Sequence, residues 1–320
     1  MLFSTIFLII GFILLIKGAD YLVDGSSVIA KKFKVSNLLI GLTIVSFGTS
    51  LPELVVNVLA GWQGNTELAI ANIIGSNIAN LLLILGVSAV VAPLVVGKHT
   101  VWKEIPFSLL AVMVLGILAN DKIFAQGGAS VLSFGDGLIL LSFLAIFMYY
   151  IIGIALSDRQ KNIGTEAPQI KTLTSVIMII GGLVGLIIGG RWVVDSATFI
   201  ATSLGVSQAF IGLTAVALGT SLPELVASIT AVKKGNIDLA VGNAIGSNVF
   251  NVFWILGVTA LIHPLYFNTL ANTDLLVAIG ATLLLFFWMF IGKKHTLQKW
   301  QGILFLVFYV GYIVFAFFRG

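Results

Sequence analysis

An all-α polytopic membrane protein, with ten transmembrane helices in two inverted five-helix repeats, is the fold class predicted by this 320-residue sequence. Three observations predict it. Hydrophobic residues make up 59% of the chain and charged residues 9%, against roughly a quarter charged in a soluble domain. Breaking the chain at turn residues and charges leaves ten apolar stretches, each near the ~20 residues that cross ~30 Å of hydrocarbon. The first half also matches the second without a gap, at an offset of 171 residues.

The predicted spans fall at 2–30, 36–60, 67–91, 102–119, 134–156, 172–203, 207–231, 237–261, 273–292 and 300–318. The first run, Leu2 to Ile16, leads into Lys17, Asp20 and Asp24 with no small-residue cleavage site, so it reads as a retained helix and not a removed signal peptide. The hydrophilic stretch Ser157 to Lys171 is the natural linker. It makes 1–156 the first repeat and 172–320 the second.

The strongest internal matches are IGLTIVSFGTSLPEL (40–54) with IGLTAVALGTSLPEL (211–225), and NIIGSNIANLLLILG (72–86) with NAIGSNVFNVFWILG (243–257). They pair Glu53 with Glu224, Ser76 with Ser247 and Asn80 with Asn251. Five spans per unit is an odd number, so the second copy enters the membrane from the opposite face. Secondary transporters built this way bind their substrate near the midplane, between the repeats.

Orientation follows from the basic residues. Loops after odd-numbered spans carry Lys31, Lys32, Lys34, Lys98, Lys103, Arg159, Lys161, Lys171, Lys233, Lys234, Lys293, Lys294 and Lys299, whereas the other side has Lys122 and Arg319. The positive-inside rule then puts the linker in the cytoplasm and both termini outside an inner-type cell membrane. The net charge of +4 therefore reports orientation and not nucleic-acid binding. Lys17 and Arg191, inside spans, stand near Asp20 and Asp195 at helical spacing and read as ion pairs or snorkelling chains. Asp136, Asp238 and Asp274 fall at span edges and read as solvated caps.

Chemistry concentrates at Glu53 and Glu224. A carboxylate in the bilayer interior costs about 2.5–3.5 kcal/mol on insertion scales, so a buried glutamate is a functional site by default. The sequence places two such glutamates inside spans, each directly after a proline. Proline removes one amide hydrogen bond and crowds the carbonyl four residues back, freeing main-chain oxygen near Gly48 and Gly219. Such oxygen is tolerated at that depth only where it lines a cavity or binds an ion. Thr49 lies four residues before Glu53, with Ser46 and Ser50 on or beside the same stripe, and Thr220 stands likewise before Glu224. Asn72, Ser76 and Asn80 recur every four residues, repeated as Asn243, Ser247 and Asn251.

Oxygen ligands suit hard cations, and two formal negative charges match one Ca²⁺. There is no cysteine, and His99, His263 and His295 sit at or beyond span ends, so a soft-metal site is not expected. Serine, threonine and asparagine also act as hydrogen-bond glue between membrane helices. Recurrence of the polar set around both glutamates favours ion binding for Ser76, Ser247, Asn80 and Asn251. For Asn72, Asn243, Asn77 and Asn248, packing, helix-end and ligand roles stay open.

At these motifs the sequence resembles the calcium/cation antiporter superfamily, specifically its sodium/calcium exchanger branch, whose two α-repeats carry G-T-S-x-P-E followed by G-S-N-x-x-[ND]. The resemblance covers essentially the whole chain. It implies a core of spans 2, 3, 7 and 8, with long tilted spans 1 and 6 sliding across it. It also implies that Glu53, Glu224, Thr49, Thr220, Ser50, Ser221, Ser76, Ser247, Asn80, Asn251 and the main-chain oxygens of Ser46 and Ala217 line the ion sites. The short linker leaves no room for the regulatory domain of animal members. Asparagine stands at both 80 and 251, where many members have one aspartate, and this points to exchange without potassium.

The expected function is thus Ca²⁺/Na⁺ antiport by alternating access, with Ca²⁺ and Na⁺ as transported ions, the lipid bilayer as surroundings, and no cofactor, nucleic acid or obligate protein partner. The alternatives are a Ca²⁺/H⁺ antiporter of the same fold and a cation channel. An intramembrane enzyme is disfavoured, because the sequence has no paired catalytic aspartates, Ser/His dyad or HExxH motif.

Overall fold

The computed structural model describes residues 2–121, 130–161, 170–204 and 219–319. Among them, eight helices are long and apolar enough to cross a membrane, and two more that meet at a 45° bend meet the same measure taken together. In chain order the elements are α1 (Leu2–Phe33), the bent pair α2 (Asn37–Thr49) and α3 (Leu51–Trp62), α4 (Thr66–Val91), α5 (Thr100–Leu118) and α6 (Phe134–Lys161). The second half has α7 (Thr172–Ser203), α8 (Leu222–Lys233), α9 (Ile237–Ile262), α10 (Ala271–Trp288) and α11 (Lys299–Arg319). The first part of the predicted seventh span lies outside the described residues.

Most span ends fall within a few residues of expectation, and the exceptions have local causes. α6 continues through the start of the expected linker to Lys161. α10 stops at Trp288 because Gly292 and His295 adopt positive φ and the chain reverses there. The bend between α2 and α3 falls at Ser50, whose ψ of 5° departs from the helical value, with Pro52 in the first turn of α3. Ser221 and Pro223 repeat that geometry at the start of α8. Proline supplies no amide hydrogen and is tolerated only at a helix start, so each LPE motif begins a new helix.

Two short antiparallel pairs add strand to the all-helical expectation. β1 (Leu94–Val95) pairs with β4 (Thr296–Leu297), and β2 (Val131–Leu132) pairs with β3 (Leu265–Tyr266). β1 and β3 follow the equivalent prolines Pro93 and Pro264, and they fasten loop ends where helices stop.

α4 and α9 form the centre, each with 78% of its apolar window buried, against 17% for α6 at the periphery. The outward flanks carry Ile13, Tyr149, Leu173 and Val310, all exposed, as hydrocarbon-facing helices require. α1 and α7 pack along their length through glycine. A Cβ on Gly18 would lie 2.7 Å from the Gly182 carbonyl oxygen, and one on Gly189 would lie 2.7 Å from that of Gly11. Without side chains the two backbones touch directly, leaving a smooth seam.

One charged group departs from expectation, and one ion pair forms with a distant partner. Asp274 is no solvated cap: it is buried, forks with Arg319 at 2.9 and 2.8 Å, and accepts from the Tyr312 hydroxyl at 3.1 Å. A bidentate guanidinium–carboxylate pair satisfies both groups together, which allows the carboxylate to sit inside. Asp20 pairs not with Lys17 but with Lys234 at 3.1 Å, joined by Asp24 at 2.8 Å. Arg191 and Asp195 do pair, at 3.6 Å, as an exposed helical contact.

Candidate cation-binding site

The broken helices bring the two glutamates to one seam. α3 and α8 each present a glutamate in the first turn, and both side chains are 1% exposed. Ser50 donates to Glu224 Oε1 at 3.1 Å, and Ser221 hydrogen-bonds Glu53 Oε1 at 3.5 Å and Ser76 Oγ at 3.2 Å. Each half thus supplies a hydroxyl to the other half's carboxylate. Glu53 Oε2 and Glu224 Oε2 are buried with no hydrogen-bond partner.

The same exchange of partners runs through the neighbouring contacts. Thr49 donates to Asn243 Oδ1 at 3.1 Å, and its equivalent Thr220 to Asn72 Oδ1 at 3.4 Å. Asn57 Nδ2 donates to the Glu53 carbonyl at 2.8 Å, which steadies the turn that carries the carboxylate. Asn243 Nδ2 does the corresponding work at the Glu224 carbonyl, at 3.3 Å, while also reaching Ser228 at 3.0 Å. A hydroxyl that gives its hydrogen to an amide keeps its oxygen lone pairs free to accept or to coordinate.

One level along α4 and α9, four asparagines cross. Asn80 Nδ2 donates to Asn248 Oδ1 at 2.9 Å, and Asn251 Nδ2 to Asn77 Oδ1 at 3.0 Å. Asn77 and Asn248 in turn donate to each other's main-chain carbonyl, both at 3.4 Å. The amide of each outer asparagine is fixed through nitrogen, which leaves Asn80 Oδ1 and Asn251 Oδ1 buried and without a partner. Both lie in π-helical turns, Ala79–Ile84 and Asn251–Leu256, and such turns often mark functional positions.

Among the described residues, the buried oxygens without a hydrogen-bond partner include Glu53 Oε2, Glu224 Oε2, Asn57 Oδ1, Asn80 Oδ1, Asn251 Oδ1 and Ser247 Oγ. Leaving a buried acceptor unmade costs about 1–3 kcal/mol, and more when it is charged. Carboxylate, amide and hydroxyl oxygens of this kind are the ligand set of a hard cation.

Of the predicted residues, Ala217 lies outside the described residues. The Ser46 carbonyl already accepts from the Ser50 amide at 3.1 Å. Ser76 is engaged with Ser221, whereas its equivalent Ser247 has no partner. The open question over Asn77 and Asn248 resolves in part, since both hold other amides in place.

The expectation of two buried glutamates is corrected: Glu104 is a third, fully buried and hydrogen-bonded by Tyr150. The position 171 residues on is Leu275, so the repeat gives Glu104 no partner and the symmetric site excludes it.

The fold is that of a multi-pass integral membrane transporter. Within that class, the chain belongs to the sodium/calcium exchanger family, whose model matches residues 3–153 and 174–318, nearly everything on either side of the linker. Sodium/calcium exchanger MaX1 of Methanosarcina acetivorans is 31% identical, with 98% of this chain and 99% of the relative covered. Inner membrane protein YrbG of Escherichia coli is 38% identical, over 82% and 81%. A solved structure of the sodium-calcium exchanger NCX_Mj superposes with a TM-score of 0.84 at 34% identity, covering 98% of each chain.

Proposed function

We propose that the chain exchanges Ca²⁺ for Na⁺ by alternating access, at a site that contains Glu53 and Glu224. The observation that carries this reading is that two buried carboxylates, each held by a serine of the other half, both keep an oxygen without a hydrogen-bond partner. Thr49, Thr220, Ser50, Ser221, Ser76 and the main-chain oxygens of Ser46 and Ala217 complete the ligand set. Ca²⁺ and Na⁺ compete for the same carboxylates. A site holding two unneutralised charges is too costly to carry through a low-dielectric interior, so movement requires bound ions, and competition alone couples the two fluxes.

Potassium has no place in this scheme. Ca²⁺ and K⁺ bound together bring three positive charges against two carboxylates, and a surplus buried charge costs several kcal/mol. The amides of Asn80 and Asn251 add dipoles but no charge.

The exchange of contacts between equivalent residues supports ten helices in two repeats related by inversion. The basic loops support a cytoplasmic linker with both termini outside. A cysteine placed in 157–171 of this cysteine-free chain is then protected from impermeant thiol reagent in intact cells, and one placed at the C-terminus is labelled. Labelling of the linker alone would overturn the orientation.

Calcium uptake into proteoliposomes, with Na⁺, K⁺ and H⁺ gradients imposed one at a time, tests the function. The outward Na⁺ gradient alone drives saturable uptake, and replacing K⁺ on both sides by an inert cation leaves it unchanged. Uptake driven by the H⁺ gradient without Na⁺ would establish the proton antiporter instead, and single-channel currents would establish a channel.

A further inference from the structure

Glu104 has surroundings that transport does not use. It ends the π-helical turn Thr100–Glu104 at the start of α5. The Tyr150 hydroxyl donates to its Oε1, while Oε2 is buried without a partner, as is the Oγ1 of Thr100 one turn earlier. Both residues are 0% exposed, and both line a cavity of about 590 Å³ at the linker end of the bundle.

The lining gives the chemistry of the occupant. The two partnerless oxygens, one carboxylate and one hydroxyl, are by themselves too few for a bare Ca²⁺, which takes about six to eight. The volume is also many times the ~30 Å³ share of a single water. Much of the remaining wall is apolar, and Tyr149, Ile152 and Leu156 are exposed on the flank of α6 that meets hydrocarbon. The cavity therefore reaches the bilayer sideways. Lys103 and His99 also line it, with the Lys103 ammonium 5.4 Å from the Tyr150 ring centre. Two further carboxylates lie at the wall. Asp158 is held by the Ser36 amide at 3.1 Å, and Asp238 is exposed.

We propose that this cavity binds the headgroup of a primary-amine phospholipid, phosphatidylethanolamine, taken from the bilayer. Its ammonium donates to Glu104 Oε2 and Thr100 Oγ1, its phosphate meets Lys103 and His99, and its acyl chains leave along α6. An ammonium with N–H groups satisfies both orphaned acceptors. The trimethylammonium of phosphatidylcholine has no N–H to give and satisfies neither.

The test uses the full chain in mixed bilayers that hold phosphatidylethanolamine and phosphatidylcholine of identical acyl composition, with lipid retention read by native mass spectrometry after stepwise delipidation. A charge-assisted hydrogen bond to a buried carboxylate corresponds to roughly tenfold preferential retention of phosphatidylethanolamine. Glu104→Gln keeps an acceptor for Tyr150 and brings the ratio close to one. A second series, on the unmutated protein, replaces phosphatidylethanolamine by its mono- and dimethylated forms, and retention falls as N–H donors are lost. Equal retention of the two lipids, a preference that survives Glu104→Gln, or indifference to methylation would each overturn the proposal.

Discussion

Glu53→Gln and Glu224→Gln are each expected to abolish calcium exchange. Glutamine has the shape of glutamate and still offers an oxygen to Ser221 or Ser50, so the change isolates one formal charge. With one carboxylate left, a bound Ca²⁺ carries an uncompensated positive charge into an interior shielded from water. Breaking one side of a buried charge pair costs about 3–5 kcal/mol. At 1.36 kcal/mol per factor of ten, the calcium affinity falls by roughly two to four orders of magnitude. The repeat adds a sharper expectation: the two single mutants lose similar amounts, because each carboxylate is held by the equivalent serine of the other half. The measurement is sodium-driven calcium uptake by mutants shown by size-exclusion chromatography to be folded. Near-normal flux in either one would rule out a site that needs both carboxylates.

Much of this arrangement was legible in the sequence because it is local. Proline before glutamate fixes a helix start, and the four-residue spacings of Asn72, Ser76 and Asn80 fix a helix face. The duplication then doubles each signal. What was not legible depends on partners far apart in the chain. Asn80 meets Asn248, and Asn251 meets Asn77, at separations of 168 and 174 residues, and no spacing within one helix announces such a pairing. The sequence could say that those faces were polar, but not which amides hold and which are held.

Asp274 depends on a distant partner in the same way. At the edge of a span it looks solvated, and its burial follows from Arg319, 45 residues later. Glu104 escaped notice because it follows Lys103 at the beginning of a span, where a glutamate normally reaches water, and because the second half has no copy of it. The α1–α7 seam was not read from the sequence: glycines stand seven residues apart at 11, 18 and 25, and only the fold shows their antiparallel register against Gly189, Gly182 and Ser175. A seam of backbone against backbone presents few interdigitating side chains to resist displacement. This suits the sliding of spans 1 and 6 across the core that the family resemblance implies.

The central claim is that Ca²⁺ and Na⁺ occupy the same carboxylates in turn, and equilibrium calcium binding to the purified protein under Na⁺ titration tests it most directly. Two carboxylates require about two monovalent ions for neutrality, so Na⁺ displaces calcium with a dependence steeper than first order. K⁺ at the same ionic strength does not displace it, and this control separates competition from general screening. Displacement is expected to be complete and saturable in the unmutated protein, with no measurable high-affinity calcium binding in Glu53→Gln or Glu224→Gln. Calcium binding that persists unchanged at saturating Na⁺ would contradict it, because the two ions would then hold separate sites.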